Sequence, residues 1–195
     1  MHRGQRFFAP NHLFRPSCPI VTPEIIHRLR EGATLLSIGA GPAYTEQLLV
    51  NRFGVPRSSI HLADISSESI PSEFTFHSFD MHLPWPKNLG KYNYVVFSES
   101  ATLINCQFSD AHRRVAALGH LLLQGAEHLL SSGQVRIEVV LMLDQIQTAL
   151  QSCCKQLSGW SYEINAAHGS DTLIVLDRPN QAREQRRTCE VNQDV

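Results

Sequence analysis

The chain has 195 residues, of which 43% are hydrophobic and 18% are charged, and these proportions indicate a globular protein rather than a disordered one. Its formal net charge of −1 gives no electrostatic reason to expect nucleic acid or an anionic membrane as the main partner. The five cysteines are odd in number and form no C-x-x-C pair, which disfavours a disulfide framework and a zinc site, so no metal is expected.

Size and composition predict a single domain. A prior of ~150 residues per domain and the absence of an interior linker favour one unit, which we place at residues 22–177, between an N-terminal extension (1–21) and a polar, disordered tail (178–195). The start of the sequence lacks the apolar core of a signal peptide, and no apolar run reaches the ~18 residues of a membrane helix. We therefore expect a cytoplasmic protein without a membrane partner.

The leading segment combines aromatic and basic residues and then gives way to a helix. Its phenylalanines are unusual for a disordered tail, so residues 1–21 are expected to pack across the domain as a possible lid. Thr22 and Pro23 form a helix start, because threonine caps helix N-termini and proline at the first helical position sacrifices no hydrogen bond. Gly32 ends this helix.

A glycine turn joins the first strand to the next helix. Residues 35–38 form a short apolar run, typical of a buried parallel strand, which breaks into the turn Gly39-Ala40-Gly41. The following helix covers residues 44–53 and stops at Gly54. This arrangement is typical of nucleotide sites, because glycine lets the backbone approach a ligand while the helix N-terminus presents free N–H groups.

Two further strands lead into carboxylates. The strand from Ser59 ends at Asp64, and an acid in that position can hold ribose hydroxyls, because a carboxylate accepts two hydrogen bonds from a vicinal diol. The apolar stretch 74–79 leads to Asp80 and Met81. Asp80 can accept from an exocyclic amine, and Met81 can form an apolar wall for a flat base.

The second half of the chain continues the alternation of strands and helices. A strand over residues 92–97 leads to Ser98 and Glu99, which face the same crevice if the strands are parallel. Ser109 or Asp110 caps a long helix. This helix is predicted to run to about Leu130, with Gln124 and His128 facing away from the core. Ser132-Gly133 is then expected to turn the chain into a strand over 134–143, and Asp144 to cap a further helix with Cys153 on its inward face. Residues 160–165 and 172–176 are predicted to form a hairpin.

Five alternations of strand and helix before a terminal hairpin predict an α/β fold. We expect a three-layer sandwich, with helices on both faces of a mostly parallel seven-stranded sheet that ends in an antiparallel C-terminal hairpin. Ligands in such sheets bind beyond the carboxyl ends of the strands. Gly39, Asp64, Asp80 and Ser98 are all predicted to lie at that edge.

The sequence from about Thr22 to Leu176 resembles the class I (Rossmann-like) S-adenosylmethionine-dependent methyltransferases. Residues 35–43 are similar to that family's first motif, 61–66 to its acidic second motif, and 79–86 to its Asp-x-x-x-Leu-Pro stretch. The resemblance implies methyl transfer with S-adenosyl-L-methionine as the cofactor. The cofactor-binding residues that it implies are Gly39, Ala40, Gly41, Asp64, Ile65, Asp80, Met81 and Ser98.

The resemblance also implies a role for each part of the site. The glycine turn backs onto the methionine part of the cofactor, Asp64 holds the ribose, Asp80 and Met81 bracket the adenine, and Ser98 lies near the sulfonium. Two positions depart from the family pattern: Ser37 stands where an acid is usual, and Ala43 where a third glycine is common. These departures predict a weaker grip on the methionine end.

The acceptor is expected to be a small molecule rather than nucleic acid. The fourth strand lacks the Asn-Pro-Pro-Tyr motif associated with base and glutamine amide methylation, and the chain has no basic stripe. Methyl transfer needs no fixed catalytic residue, and Glu99 and His82 are the candidate proton acceptors. The sequence does not define the oligomeric state.

Three alternatives stay open at this point. Pro42 resembles the corresponding residue of nicotianamine-synthase-like enzymes, which transfer an aminocarboxypropyl group from the same cofactor. An NAD-dependent oxidoreductase shares the Gly-x-Gly turn and the acid, although Tyr44 occupies the position of the third glycine. A non-catalytic, methyltransferase-like interaction protein is favoured by the missing acid at Ser37.

Overall fold

A computed structural model of the chain describes residues 20–97, 104, 107–166 and 172–178. Within these ranges the strands are β1 (Leu35–Ile38), β2 (Ile60–Asp64), β3 (Thr75–Ser78), β4 (Tyr92–Phe97), β5 (Leu129–Val139), β6 (Ser161–Ala166) and β7 (Thr172–Asp177). The α-helices are α1 (Pro23–Arg30), α2 (Tyr44–Phe53), α3 (Ala111–Glu127) and α4 (Leu143–Gln156), and a 3₁₀ turn covers Arg57–Ser59.

The strands form one seven-stranded sheet in the order β3-β2-β1-β4-β5-β7-β6. The first five strands along the chain pair in parallel, while β7 runs antiparallel to both β5 and β6. This is the predicted mostly parallel sheet with its antiparallel C-terminal hairpin. The order reverses between β1 and β4, so the carboxyl ends of these strands flank a crevice of the kind in which doubly wound sheets bind ligands.

Two hydrophobic cores cover the two faces of the sheet. Successive side chains of a strand point to opposite faces, so Leu35 and Leu36, both fully buried, belong to different cores. The core that contains Leu35 is covered by α1 and α2, and the one that contains Leu36 is covered by α3 and α4. The three layers follow from this alternation, because burial of both faces of the sheet requires helices on each side.

The ends of the first helices follow the sequence signals. The hydroxyl of Thr22 accepts a hydrogen bond from the backbone N–H of Ile25 at 3.3 Å, as the predicted N-cap requires. Helix α2 ends at Gly54, whose φ of +66° is the left-handed conformation that glycine adopts at helix ends. Local sequence thus sets the direction in which α2 leaves the glycine turn and returns to β2.

The boundary between α3 and β5 differs from the prediction. The helix ends at Glu127, and the strand begins at Leu129 rather than at residue 134, so Ser132-Gly133 lies within a strand instead of forming a turn. A Cβ on Gly133 would lie 2.8 Å from the carbonyl oxygen of Asn93. The glycine is therefore needed for close approach of two backbones, at an irregularity of the β4–β5 ladder between the pairs Tyr92–Leu129 and Tyr94–Gln134.

His128 and the start of α4 also differ from the prediction. His128 was expected to face away from the core but is only 7% exposed, because its ring stacks on Trp85 and its Nδ1 donates to the carbonyl of Gly90 at 2.9 Å. Helix α4 begins at Leu143 after Met142, without a side-chain cap, and Asp144 lies in its first turn. Cys153 packs in the core as predicted, and burial raises the pKa of its thiol to about 11.

Candidate functional site

The glycine turn is fixed against the end of β2 by hydrogen bonds. The N–H of Gly39 donates to the carbonyl of Ala63 at 2.8 Å, and the N–H of Gly41 donates to Oδ2 of Asp64 at 2.9 Å. Both glycines have positive φ, +67° and +50°. The two glycines thus form a turn that other residues could adopt only with strain. The hydrogen bond from Gly41 then orients the Asp64 carboxylate at the rim of the sheet.

The side of the turn at Gly41 is open. A Cβ built on Gly41 would meet no heavy atom of the described residues within 4 Å, so their side chains leave the backbone there accessible. Ala43, which stands where the family has a third glycine, adopts a left-handed φ of +54° and is fully buried beneath the start of α2. The alanine therefore keeps the backbone shape of the glycine that it replaces.

Asp64 retains capacity to bind a ligand. Its Oδ1 accepts from the N–H of Ile65 at 2.6 Å, and its Oδ2 accepts from Gly41, which uses one lone pair on each oxygen. The carboxylate does not cap the segment after β2; there, Ser66 Oγ accepts from the N–H of Glu68 at 3.2 Å. Ile65, next to Asp64, is 69% exposed and presents apolar surface at the same rim.

The loop after β3 is held by hydrogen bonds of its own. Asp80 Oδ1 accepts from the N–H of His82 at 2.9 Å, and the carbonyl of Met81 accepts from the indole Nε1 of Trp85 at 3.0 Å. Trp85 is buried in the core and packs against Phe79, with ring centroids 5.4 Å apart. Local structure and core packing together hold Asp80 and Met81 in place beyond the end of β3.

His82 lies in this loop and is half-buried. Burial lowers the pKa of its imidazole from 6.5; the Asp80 carboxylate acts in the opposite direction, nearby His120 lowers the pKa further, and a hydrogen bond with Gln107 raises it. Its Nε2 is buried and has no hydrogen-bond partner among the described residues, and the ring meets Phe108 edge-on with centroids 5.5 Å apart. A neutral imidazole with an unoccupied nitrogen has the chemistry of a proton acceptor. Two predicted site residues, Ser98 and Glu99, follow β4 and lie outside the described residues.

The glycine turn is followed by a helix that carries a buried carboxylate, Glu46, which the sequence patterns did not predict as part of the site. Ser37 Oγ donates to Oε1 of Glu46 at 2.5 Å, and both side chains are buried. Glu46 lies in α2, three residues before the buried Leu49, so the helical spacing places it on the inward face of the helix. That spacing is the sequence signal from which its burial could have been predicted. At the level of packing, α2 brings a carboxylate to the strand position where the resemblance leads one to expect an acid.

Within the described residues, no group of three or more His, Cys, Asp or Glu side chains is arranged to hold a metal ion. In the same part of the chain, no helix has the length and apolar character needed to cross a membrane.

Several methyltransferases of known structure share this architecture. A methyltransferase from Pyrococcus furiosus matches with a TM-score of 0.56 and 13% identity over 84% of this chain and 86% of that one. The chain has the class I methyltransferase fold. The plantazolicin methyltransferase BpumL in complex with SAH matches this fold with a TM-score of 0.55 and 12% identity, over 75% of this chain and 76% of that one.

A third methyltransferase of this fold is CalS10, an amino pentose methyltransferase from Micromonospora echinaspora with SAM bound, at a TM-score of 0.53 and 12% identity over 80% of this chain and 88% of that one. No family model and no curated protein matches the sequence. At these identities the likeness establishes the class I methyltransferase fold and leaves the chemistry to be argued from the site.

Proposed function

We propose that the protein is an S-adenosylmethionine-dependent methyltransferase that acts on a small-molecule acceptor. The observation that carries the proposal is the 2.9 Å hydrogen bond between the Gly41 N–H and the Asp64 carboxylate, at the crevice of a sheet with the methyltransferase strand order. It brings together the two sequence features that were expected to bind opposite parts of one cofactor.

The residues at the rim fit S-adenosylmethionine. Each oxygen of Asp64 keeps a lone pair for one ribose hydroxyl, and the open face at Gly41 leaves room for the backbone to approach the methionine part. Exposed Ile65 supplies apolar surface for the adenine, with Asp80 and Met81 on its other side. Ser98 is proposed to lie near the sulfonium.

The bound cofactor supplies a methyl group already activated on a sulfonium. The protein's part is to align the acceptor with that methyl group and to exclude water. Where the acceptor is a hydroxyl or an amine, His82 Nε2 takes its proton, since burial favours the neutral imidazole. Glu99 is the second candidate for this role.

The structure bears on the alternatives. A standard dinucleotide-binding sheet has the strand order 3-2-1-4-5-6, whereas this sheet inserts an antiparallel β7 between β5 and β6. The argument for a non-catalytic protein was the missing acid at Ser37, and the carboxylate of Glu46 accepts a hydrogen bond from that serine at 2.5 Å. Aminocarboxypropyl transfer uses the same cofactor, and labelling the methyl or the carboxyl carbon of that cofactor distinguishes the two products.

Calorimetric titration with S-adenosylhomocysteine tests the proposal. We expect the wild-type chain to bind it and D64A to bind at least about tenfold more weakly, because a hydrogen bond to a charged group contributes ~1.5–3 kcal/mol. D64N keeps an acceptor for Gly41 and serves as the variant that preserves the turn. E163Q, on β6 at the far edge of the sheet, is the matched control and should bind as the wild type does.

Two results would overturn the proposal. Absence of heat with S-adenosylhomocysteine at millimolar concentration would favour the non-catalytic alternative, and binding of NAD in its place would favour the oxidoreductase. Unchanged affinity in both Asp64 variants would remove that residue from the site.

A further inference from the structure

A second pocket lies at the amino-terminal edge of the sheet, opposite the crevice. Lys91 directly precedes β4, His128 directly precedes β5, and Arg178 follows the antiparallel β7, so all three are at the same edge. The pocket has a volume of about 510 Å³. Small-molecule sites typically occupy ~300–1,000 Å³, so this cavity has the size of a ligand site.

Aromatic residues line two sides of the pocket, where the stacked rings of Trp85 and His128 contribute only small exposed areas, 5% and 7%. Trp85 and His128 stack with centroids 5.6 Å apart, and Trp160 lies under the Arg178 guanidinium at 6.0 Å. The chain has two tryptophans, and both line this pocket. Flat, rigid walls of this kind suit a planar ring.

The charge of the lining is positive although the chain carries a net charge of −1. Lys87, Lys91 and Arg178 line the pocket with one carboxylate, Glu127, whose Oε2 accepts from Gln124 Nε2 at 3.0 Å. Two of the three lysines in the sequence are therefore found here. Lys91 Nζ donates to the carbonyl of Glu127, and Arg178 Nη1 donates to that of Leu129 at 2.6 Å, which holds both cations at the mouth.

We propose that this pocket binds a planar aromatic anion, carrying a carboxylate or a phosphate, as a ligand separate from the methyl-transfer reactants. Trp160 and the small exposed part of the Trp85–His128 pair contact the aromatic part, and the two lysines with Arg178 take the charge. The pocket lies at the opposite edge of the sheet from the crevice, so the ligand can be tested separately from the proposed enzymatic activity, although Trp85 also donates to the carbonyl of Met81.

The two tryptophans make the pocket directly observable. Protein labelled with ¹⁵N gives one indole N–H signal for each tryptophan, and we expect both to shift on titration with 1-naphthoate or 1-naphthyl phosphate. Uncharged 1-naphthalenemethanol should bind at least about tenfold more weakly, since it lacks the anion. The tighter of the two anions identifies the carboxylate or the phosphate class.

Lysine variants supply the matched comparison. K87Q/K91Q should weaken binding of the anion at least about tenfold, whereas K155Q/R57Q, which removes two cations from exposed positions outside the pocket, should leave it unchanged. Equal binding of the uncharged naphthalene, equal loss in both double variants, or stationary indole signals at millimolar probe would each overturn the proposal.

Discussion

At the scale of single residues, the contact between Ser37 and Glu46 marks a departure from the motif pattern of the methyltransferases that the sequence resembles. The acid expected on β1 is absent, and a carboxylate from α2 meets the serine that replaces it at 2.5 Å. Both side chains are buried, so the pair belongs to the packing behind the glycine turn. Two adjacent carboxylates in that space would repel each other.

Exchange of these residues gives the first prediction. S37D should lower the free energy of unfolding by about 3 kcal/mol, because it places a second carboxylate beside Glu46 in a buried site, whereas S37D/E46Q should recover more than half of that loss. S37A, which removes one donor, should cost about 1–3 kcal/mol. Urea denaturation measures all three, and an S37D variant as stable as the wild type would contradict the contact.

The contact between the glycine turn and Asp64 was predictable, because a turn with positive φ needs glycine and the carboxyl ends of parallel strands meet at one edge of the sheet. That these residues bind a cofactor stays a prediction. Glu46 was missed because its role depends on how α2 packs against β1, which no local pattern states. Ser98 and Glu99 lie outside the described residues, so their roles stay predictions.

At the scale of elements, the glycines of α3 separate helix propensity from packing. A Cβ on Gly119 would meet Cys153 Sγ at 3.9 Å, an ordinary contact. A Cβ on Gly125 would lie 3.0 and 3.1 Å from the two methyl groups of Val135, which is fully buried in β5. The helix approaches the sheet closely only at the second position.

Alanine at each position gives the second prediction. G119A should raise the free energy of unfolding by up to about 1 kcal/mol, because alanine is the better helix former. G125A gains the same propensity but must displace a buried valine, so it should be destabilising. Thermal unfolding compares the stabilities of the two variants with that of the wild type. Stabilisation by G125A would contradict the prediction and show that β5 shifts to accommodate the added methyl group.

Elements were predictable wherever hydrophobic period and end signals agreed. Residues 44–53 and 92–97 have the predicted bounds, because a glycine or a change of pattern marks each end. The predicted start of β5 was wrong because Ser132-Gly133 has the local signature of a turn, whereas in the structure these residues lie at an irregularity within the strand, between the pairs Tyr92–Leu129 and Tyr94–Gln134, and the Gly133 carbonyl accepts from the N–H of Arg178. The residues of a strand do not by themselves specify how that strand meets its neighbour in the sheet.

At the scale of the whole molecule, half-buried histidines link stability to pH. His61 Nδ1 and His77 Nε2 lie 3.1 Å apart, and the hydroxyl of Tyr92 is 3.3 Å from each nitrogen while it donates to the carbonyl of Leu89 at 2.8 Å. The imidazoles join β2 to β3, and Tyr92 ties them to β4. A single proton between His61 Nδ1 and His77 Nε2 satisfies the hydrogen bond between the two rings. When both rings are fully protonated, both nitrogens are donors and the hydrogen bond is lost.

These contacts determine the sign of the pH dependence. Burial lowers the pKa values of His61 and His77 from 6.5, with the charge of His77 adding to the effect on His61. As the pH falls through 6.5, the unfolded chain binds protons that the folded chain does not, so the free energy of unfolding decreases. Burial raises the pKa of Asp177 from 3.8, which acts in the opposite direction but at lower pH.

We therefore predict that the free energy of unfolding falls between about pH 7.5 and about pH 5.5 and that H61Q/H77Q makes this fall smaller. The glutamine pair removes both titrating rings and keeps a donor and an acceptor between β2 and β3. H112Q, on the exposed start of α3, is the matched control and should keep the wild-type slope. Urea denaturation at each pH gives the slopes; equal slopes in the double variant and the wild type would show that the acid sensitivity arises elsewhere, because only protons taken up differently by the folded and unfolded chains enter the slope.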